Sequence, residues 1–365
     1  DGVAGAPWQD QAAPAAALAT RRFDRALDAS WRRTSYSGIT ADTHNSGDPR
    51  VGSETEQAVV SDEGPVGLPA ANESPHGAPG DEEALRAVPL LLASMPGGVD
   101  VGTFVHAVLE VTDFATPDLG SELAAKVAKE QARQNIELGD LDAVVAGLRA
   151  AIETPLGPSV GDVRLRDIGA SDRLNELWFE LPLVGGDAPR ADLSVAAIGA
   201  LLRRHLPSDD VFAGYADRLD DPALRNDLRG YLAGSLDLVI RVPGDDGAPR
   251  FAVVDHKTNW LGIDGEELTA WHYRPTALAA EMERAHYPLQ ALLYSAALHR
   301  YLRWRLPHYD PARHLGGAVY LFLRGMVGSG APRVGGQPCG VLTWNPPAAL
   351  IVALSDLLDR GIAAA

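Results

Sequence analysis

The chain has one cysteine, Cys339, in 365 residues. A lone thiol excludes an internal disulfide framework, and it excludes a thiolate-held zinc or iron–sulfur centre, which takes several cysteines. A reducing, cytoplasmic compartment is the expectation. No continuous apolar run has membrane-spanning length, and no charged leader followed by an apolar segment opens the chain, so neither membrane nor export is expected. The first residue is Asp1 rather than Met, which points to a piece of a longer polypeptide. Basic residues are scarce: 32 Lys and Arg stand against 49 Asp and Glu, a formal net charge of -17. A protein that grips nucleic acid through bulk attraction to phosphate needs the opposite balance. No Gly-x-x-x-x-Gly-Lys-[Ser/Thr] loop occurs, which excludes a P-loop nucleotide motor from this sequence, and no fixed-period repeat is present.

What is present is 46% hydrophobic residues, enough for one large domain or two modest ones. Residues 1–40 read as an Ala-rich linker and lead-in, with a short helix over 21–31. Residues 41–95 hold much of the acidity among Gly, Pro, Ser and Asn without apolar periodicity, the composition of a disordered tether. Residues 96–365 form the expected ordered body. In it the spacing predicts a helix over 102–110 with Thr103 as N-cap, further helix over 121–152 and a strand opening at Glu176. A mostly helical insertion spans 193–231, the strongest helix runs from Tyr287 to Trp304, and a buried strand follows over 317–324. This order predicts an α/β fold with a small mixed sheet flanked by helices.

The chemistry gathers at a hairpin. Gly234-Ser235-Leu236-Asp237-Leu238-Val239-Ile240 and Phe251-Ala252-Val253-Val254-Asp255-His256-Lys257 flank a cluster of turn formers. If the hairpin is symmetric about Asp246, Asp237 faces Asp255 across the ladder, at a spacing where like charges repel. A cation between them is expected, and Mg²⁺, held by one or two carboxylates with water and substrate phosphate, is the natural choice. Strand alternation sends Lys257 to the face of Asp255 and turns the His256 side chain away. A metal-activated water beside an ammonium is a phosphodiester-cleaving arrangement. His106 shares a helix face with Glu110 and is a candidate third ligand. Glu176 either reaches the metal or is a solvated charge at a strand start. Gln290 and Tyr294, one turn apart, either border the cleft or pack in the core. Arg300, Arg303 and Arg305 suit either a nucleic-acid backbone or a helix C-terminus, and Trp260, Trp271 and Tyr273 read as loop anchors.

Several long motifs occur in one order: Thr34-Ser35-Tyr36-Ser37-Gly38; Gly102-Thr103-Phe104-Val105-His106; Glu176-Leu177-Trp178-Phe179; Gly234-Ser235-Leu236-Asp237-Leu238-Val239; Val254-Asp255-His256-Lys257-Thr258-Asn259-Trp260-Leu261-Gly262; Tyr287-Pro288-Leu289-Gln290-Ala291-Leu292-Leu293-Tyr294; Gly316-Gly317-Ala318-Val319-Tyr320-Leu321-Phe322-Leu323-Arg324-Gly325. Together they resemble the nuclease domains of the RecB family, in the PD-(D/E)XK superfamily, from about residue 30 onward. The resemblance implies a restriction-endonuclease-like core. It implies metal ligation by His106, Asp237, Asp255 and the backbone carbonyl of His256, with Glu176 and Lys257 needed for cleavage and Gln290 and Tyr294 bordering the site. It further implies a Mg²⁺-dependent deoxyribonuclease of the exodeoxyribonuclease V type, with Mn²⁺ or Ca²⁺ able to occupy the site, acting on DNA in double-strand break repair and recombination. RecC-like and RecD-like subunits and the RecA recombinase are the implied partners, and the subunits would supply the DNA affinity that this acidic chain lacks. The chain departs from the pattern at His256, where a tyrosine is expected, and in the acidic stretch 41–95. A rival reading keeps the fold as a non-catalytic module that docks partners or loads the recombinase.

Overall fold

The computed structural model describes residues 32–44, 79–186, 193–224, 228–244, 246–263 and 265–361. The expected helix over 21–31 and residues 45–78 of the expected tether lie outside the described residues. Strand β1 (Arg32–Thr34) leads into α1 (Tyr36–His44), followed by α2 (Pro79–Arg86), α3 (Val99–Val111), α4 (Leu119–Gln134) and α5 (Leu141–Glu153). Next come β2 (Arg173–Leu183), α6 (Val195–His205), the single turn α7 (Tyr215–Arg218), β3 (Gly230–Pro243) and β4 (Pro249–Lys257). The remainder comprises α8 (Pro275–Arg284), α9 (Tyr287–Arg305), α10 (Pro311–His314), β5 (Leu315–Phe322), the short pair β6 (Arg333–Val334) and β7 (Gln337–Pro338), β8 (Val341–Trp344) and α11 (Ala348–Arg360).

Six strands make one mixed sheet in the order β1-β3-β4-β5-β8, with β2 also paired to β3. Strand β2 runs antiparallel to β3 from Leu183↔Gly230 to Arg173↔Ile240. The opposite edge of β3 is shared: β1 takes residues 230–232 in parallel, and β4 takes residues 238–243 in the antiparallel hairpin. Its register, Leu238↔Val254 to Pro243↔Pro249, is symmetric about Asp246, as the turn residues predict. Asp246 stabilises that turn by accepting the amide of Ala248 at 2.9 Å. Past Val254, β4 leaves β3 and continues beside β5, where Asp255 neighbours Tyr320 and Lys257 neighbours Phe322 in parallel register. The sheet therefore forks, with Asp237 in the crotch.

Two cores cover the two faces. Val101, Phe104, Val105, Val108 and Leu109 recur at helical spacing on α3 and join residues of α4 and α5 over Leu238, Ile240, Val254 and Leu321. Complete burial of Phe104 alone contributes about 2–3 kcal/mol. On the other face α9, buried nearly all round from Tyr287 to His299, packs over Val239, Val253 and Tyr320. Two expectations are corrected. Helix α3 starts at Val99 with Gly98 as its cap, so Thr103 lies inside it and returns its hydroxyl to the Val99 carbonyl at 3.0 Å. The stretch 79–95, assigned to the tether, carries α2 and a turn whose Leu85, Leu90, Leu92 and Met95 are buried; those apolar anchors overcome the acidic composition.

Candidate metal centre at the sheet fork

The site arises where strand alternation fails. Residues two apart on a regular strand share a face, yet Leu236 belongs to the α9-side core and Leu238 to the α3-side core. Asp237 sits at this inversion. Glu176 fills the position across from it on β2, between the pairs Asn175↔Leu238 and Leu177↔Leu236, and has a left-handed φ of 49°. A non-glycine residue held there costs about 1–3 kcal/mol, a strain that concentrates at functional positions. Glu176, Asp237 and Asp255 thus come from three adjacent strands at one level of the sheet.

Asp237 is the hub. Its Oδ2 accepts the backbone amide of His256 at 3.0 Å, two residues beyond the last hairpin pair, Leu238↔Val254. The same oxygen lies 3.3 Å from Nδ1 of His106 and 3.6 Å from Nδ1 of His256. Nε2 of His106 donates to the His256 carbonyl at 2.9 Å, and the two imidazoles meet edge to face at 5.8 Å. Burial opposes ionisation of Asp237, but the two histidines outweigh it and hold the carboxyl well below its usual range. Glu176 is raised instead, chiefly by burial and also by Asp237, against a 2.7 Å hydrogen bond from the Ser235 hydroxyl. A shallow pocket lined by His106, Glu110, Asn175, Glu176, Asp237 and His256 opens over this group.

Asp255 and Lys257 project to the α9 side and pair at 3.0 Å. Burial raises the carboxyl of Asp255, as does Asp237, while Lys257 opposes the rise. For Lys257 burial favours the neutral amine, yet Asp255, Tyr287 and Asp237 reverse the sign and keep it an ammonium. The ammonium lies 4.0 Å from the ring centre of Tyr287, which stacks on Tyr320. The Tyr320 hydroxyl donates to Oε1 of Gln290 at 3.0 Å, whose Nε2 donates to Tyr294 at 3.4 Å. Tyr294 is buried, and burial together with Asp255 and Asp237 raises its phenol. Gln290 and Tyr294 therefore back the Asp255–Lys257 pair from within the core rather than lining an open cleft.

The expected residues fall into two linked groups. His106, Asp237 and His256 place one side-chain ligand atom each within 4.8 Å of the others, with Glu176 across the ladder. Asp255 and Lys257 form the second group, joined to the first through the repulsion between Asp237 and Asp255. The His256 side chain does turn from Asp255, but that face carries His106, so it enters the donor cluster; its carbonyl is engaged by His106. Arg300 is tied to Ser355, at 3.0 Å to its hydroxyl and 2.6 Å to its carbonyl, and Trp271 is stacked by Arg274 at 3.7 Å. Sequence reasoning overlooked Tyr287, Tyr320 and Ser235. The last was signalled by its place two residues before Asp237.

No family model matches the chain. Similarity is instead to whole proteins. The RecBCD enzyme subunit RecB of Mycobacterium tuberculosis is 46% identical over 354 residues, covering 95% of this chain and 30% of that protein. The chain belongs to the RecB family. The RecB of Mycolicibacterium smegmatis is 45% identical over 349 residues, and that of Escherichia coli 30% over 356. The chain spans about 30% of the length of the mycobacterial RecB proteins it matches. The mixed sheet flanked by helices is the architecture expected of a PD-(D/E)XK-like core. Among the described residues, no helix is long and apolar enough to cross a membrane.

Proposed function

We propose that this chain is the nuclease portion of a RecBCD-type helicase–nuclease, hydrolysing DNA phosphodiester bonds with a bound divalent cation, Mg²⁺ in the first instance. The observation that carries the reading is the level row of Glu176, Asp237 and Asp255 at the fork, with His106 on one side and Lys257 on the other. The donor set fits such an ion: carboxylate oxygens, imidazole nitrogens and a backbone carbonyl, with the one cysteine buried elsewhere. His106, Asp237, Asp255 and His256 would hold the ion, which supplies an acidified water and a polarised phosphate when bound.

The chain's own groups do the rest. Lys257 remains a cation in its aromatic surround and is suited to orienting the attacking water or meeting developing negative charge, not to accepting a proton. Glu176, raised towards neutrality beside the metal group, is placed to accept a proton from the attacking water or to pass one to the leaving oxygen. Tyr287, Tyr320 and Gln290 keep Lys257 against Asp255. RecC-like and RecD-like subunits would bring the DNA, since the net charge of -17 disfavours independent binding, and the RecA recombinase is the further partner the family suggests. The test is cleavage of end-labelled linear single- and double-stranded DNA, alone and with those subunits, with and without Mg²⁺. Cleavage abolished by Asp255→Asn in a folded variant supports the reading. Metal-independent cleavage, or no cleavage in the assembled complex, refutes it, and the latter leaves the docking module.

A further inference from the structure

Two tryptophans stand in solvent among the described residues, Trp304 at 76% exposure and Trp178 at 56%. Trp304 lies near the far end of α9, about 25 Å along the helix from Tyr287, and its ring is met by Tyr301 and Arg305. Trp178 is two residues from Glu176 on β2 and makes no hydrogen bond or ring contact among the described residues. Register fixes its direction. Trp178 pairs with Ser235, and residues directly opposite on antiparallel strands share a face, about 5 Å apart. Ser235 in turn donates its hydroxyl to Glu176 at 2.7 Å, so the indole and the carboxylate flank one serine. The next residue, Phe179, points the other way, lying over Gly234 and meeting the Tyr294 ring edge to face at 5.9 Å. Trp178 therefore takes the pocket side of the sheet, just past the end of the α3-side core, whose β3 members begin at Leu238.

We propose that Trp178 is a base-stacking platform that seats one unpaired nucleotide of the DNA strand beside the bond to be cut. This role rests on the nuclease reading and names the part of the substrate that the face next to Glu176 takes. Every base has a π-face, so a contact with an open indole tolerates any sequence, as strand degradation requires. Charge decides between base and backbone. Beside the ring stand Glu176 and Glu180, the latter in a 3.0 Å ion pair with Arg33, on a chain of net charge -17. Such a surface repels phosphate, whereas stacking needs no cation. A duplex keeps its bases stacked on one another, so a single strand is what can offer one to Trp178. With only Ser235 between the ring and Glu176, a base held there leads its backbone toward the row of acids.

The test uses the chain assembled with its partner subunits. Single strands carrying 5-iodouracil at successive positions are irradiated in chelator, so that cross-linking is read without cleavage, and the adducts are mapped by mass spectrometry. An adduct on Trp178 is expected; none at any position overturns the proposal. In Mg²⁺, an abasic site at the cross-linking position should weaken cutting at the corresponding bond about tenfold relative to neighbouring bonds. Trp178→Ala should cut the intact and abasic strands alike within twofold, and Trp178→Phe should keep the contrast. A contrast undiminished in Trp178→Ala overturns the proposal, because a merely structural ring would leave it in place. Loss of subunit assembly in that variant marks the ring as a protein contact and overturns it too. Cleavage without the adduct discards Trp178 and keeps the nuclease; the adduct without Mg²⁺-dependent cleavage discards the nuclease and keeps the strand contact.

Discussion

Replacing Arg324 should loosen the centre from a distance. Its side chain is 1% exposed and donates to four backbone carbonyls: Thr258 at 2.7 Å, Leu92 at 2.8 Å, Met95 at 2.6 Å and Pro96 at 2.6 Å. Thr258 follows Lys257, and residues 92–96 lead into α3, which carries His106. One guanidinium thus clamps together the segments bearing the two halves of the site. Each charge-assisted bond contributes roughly 1.5–3 kcal/mol, and desolvating the cation offsets part of the sum. Arg324→Met, which retains the stem but no donor, should therefore cost about 3–5 kcal/mol. For a chain of this size that is ~10 °C in Tm. Thermal and urea melts, with calorimetric metal titration of the folded variant at low temperature, form the assay. Arg324→Lys, with one point donor instead of a fork, should recover less than half of the loss. A Tm within 2 °C of wild type for Arg324→Met would refute the reasoning, because three buried carbonyls and a part-buried fourth cannot lose a donor so cheaply.

Three further outcomes are expected. Tyr287→Leu removes the ring beside Lys257 and should lower kcat for cleavage about tenfold while leaving metal affinity within twofold; a larger change in affinity than in turnover would contradict the positioning role. His299 is pushed down to about 4 by burial and by Arg303 and Arg300, so the folded state binds fewer protons than the unfolded chain between pH 4 and 6.5. Stability should accordingly fall on acidification through that window, by about 1–2 kcal/mol after screening, and His299→Asn should flatten the urea-midpoint profile there. At Gly325 an added Cβ would lie 2.3 Å from the Cβ of Tyr273, an atom next to backbone, so Gly325→Ala should cost about 1–3 kcal/mol in the same melts.

Much of the site was legible because it is local. The turn formers around Asp246 set the hairpin register by symmetry, and the alternation Val253, Asp255, Lys257 put the acid and the ammonium on one face without reference to any other element. Helix α9 was legible by length and composition. Thr103 misled because a threonine suits both a cap and a helix interior, and Gly98 has no side chain to advertise its role.

The amino-acid sequence by itself determined the mixed α/β order, the family motifs and the Asp237, Asp255 and Lys257 hairpin, since period-2 patterning and turn chemistry act over a few residues. Only the tertiary structure decided which face His256 would find, what would surround Lys257 and why Glu176 would bear a left-handed backbone. Each of these depends on β4 leaving β3 for β5 and on the cores exchanging sides at Asp237. Such an exchange is settled by packing between segments far apart in the chain, from about 65 residues for Asp255 and Tyr320 to more than a hundred for α3 and β3, and nothing in a strand's own pattern encodes it.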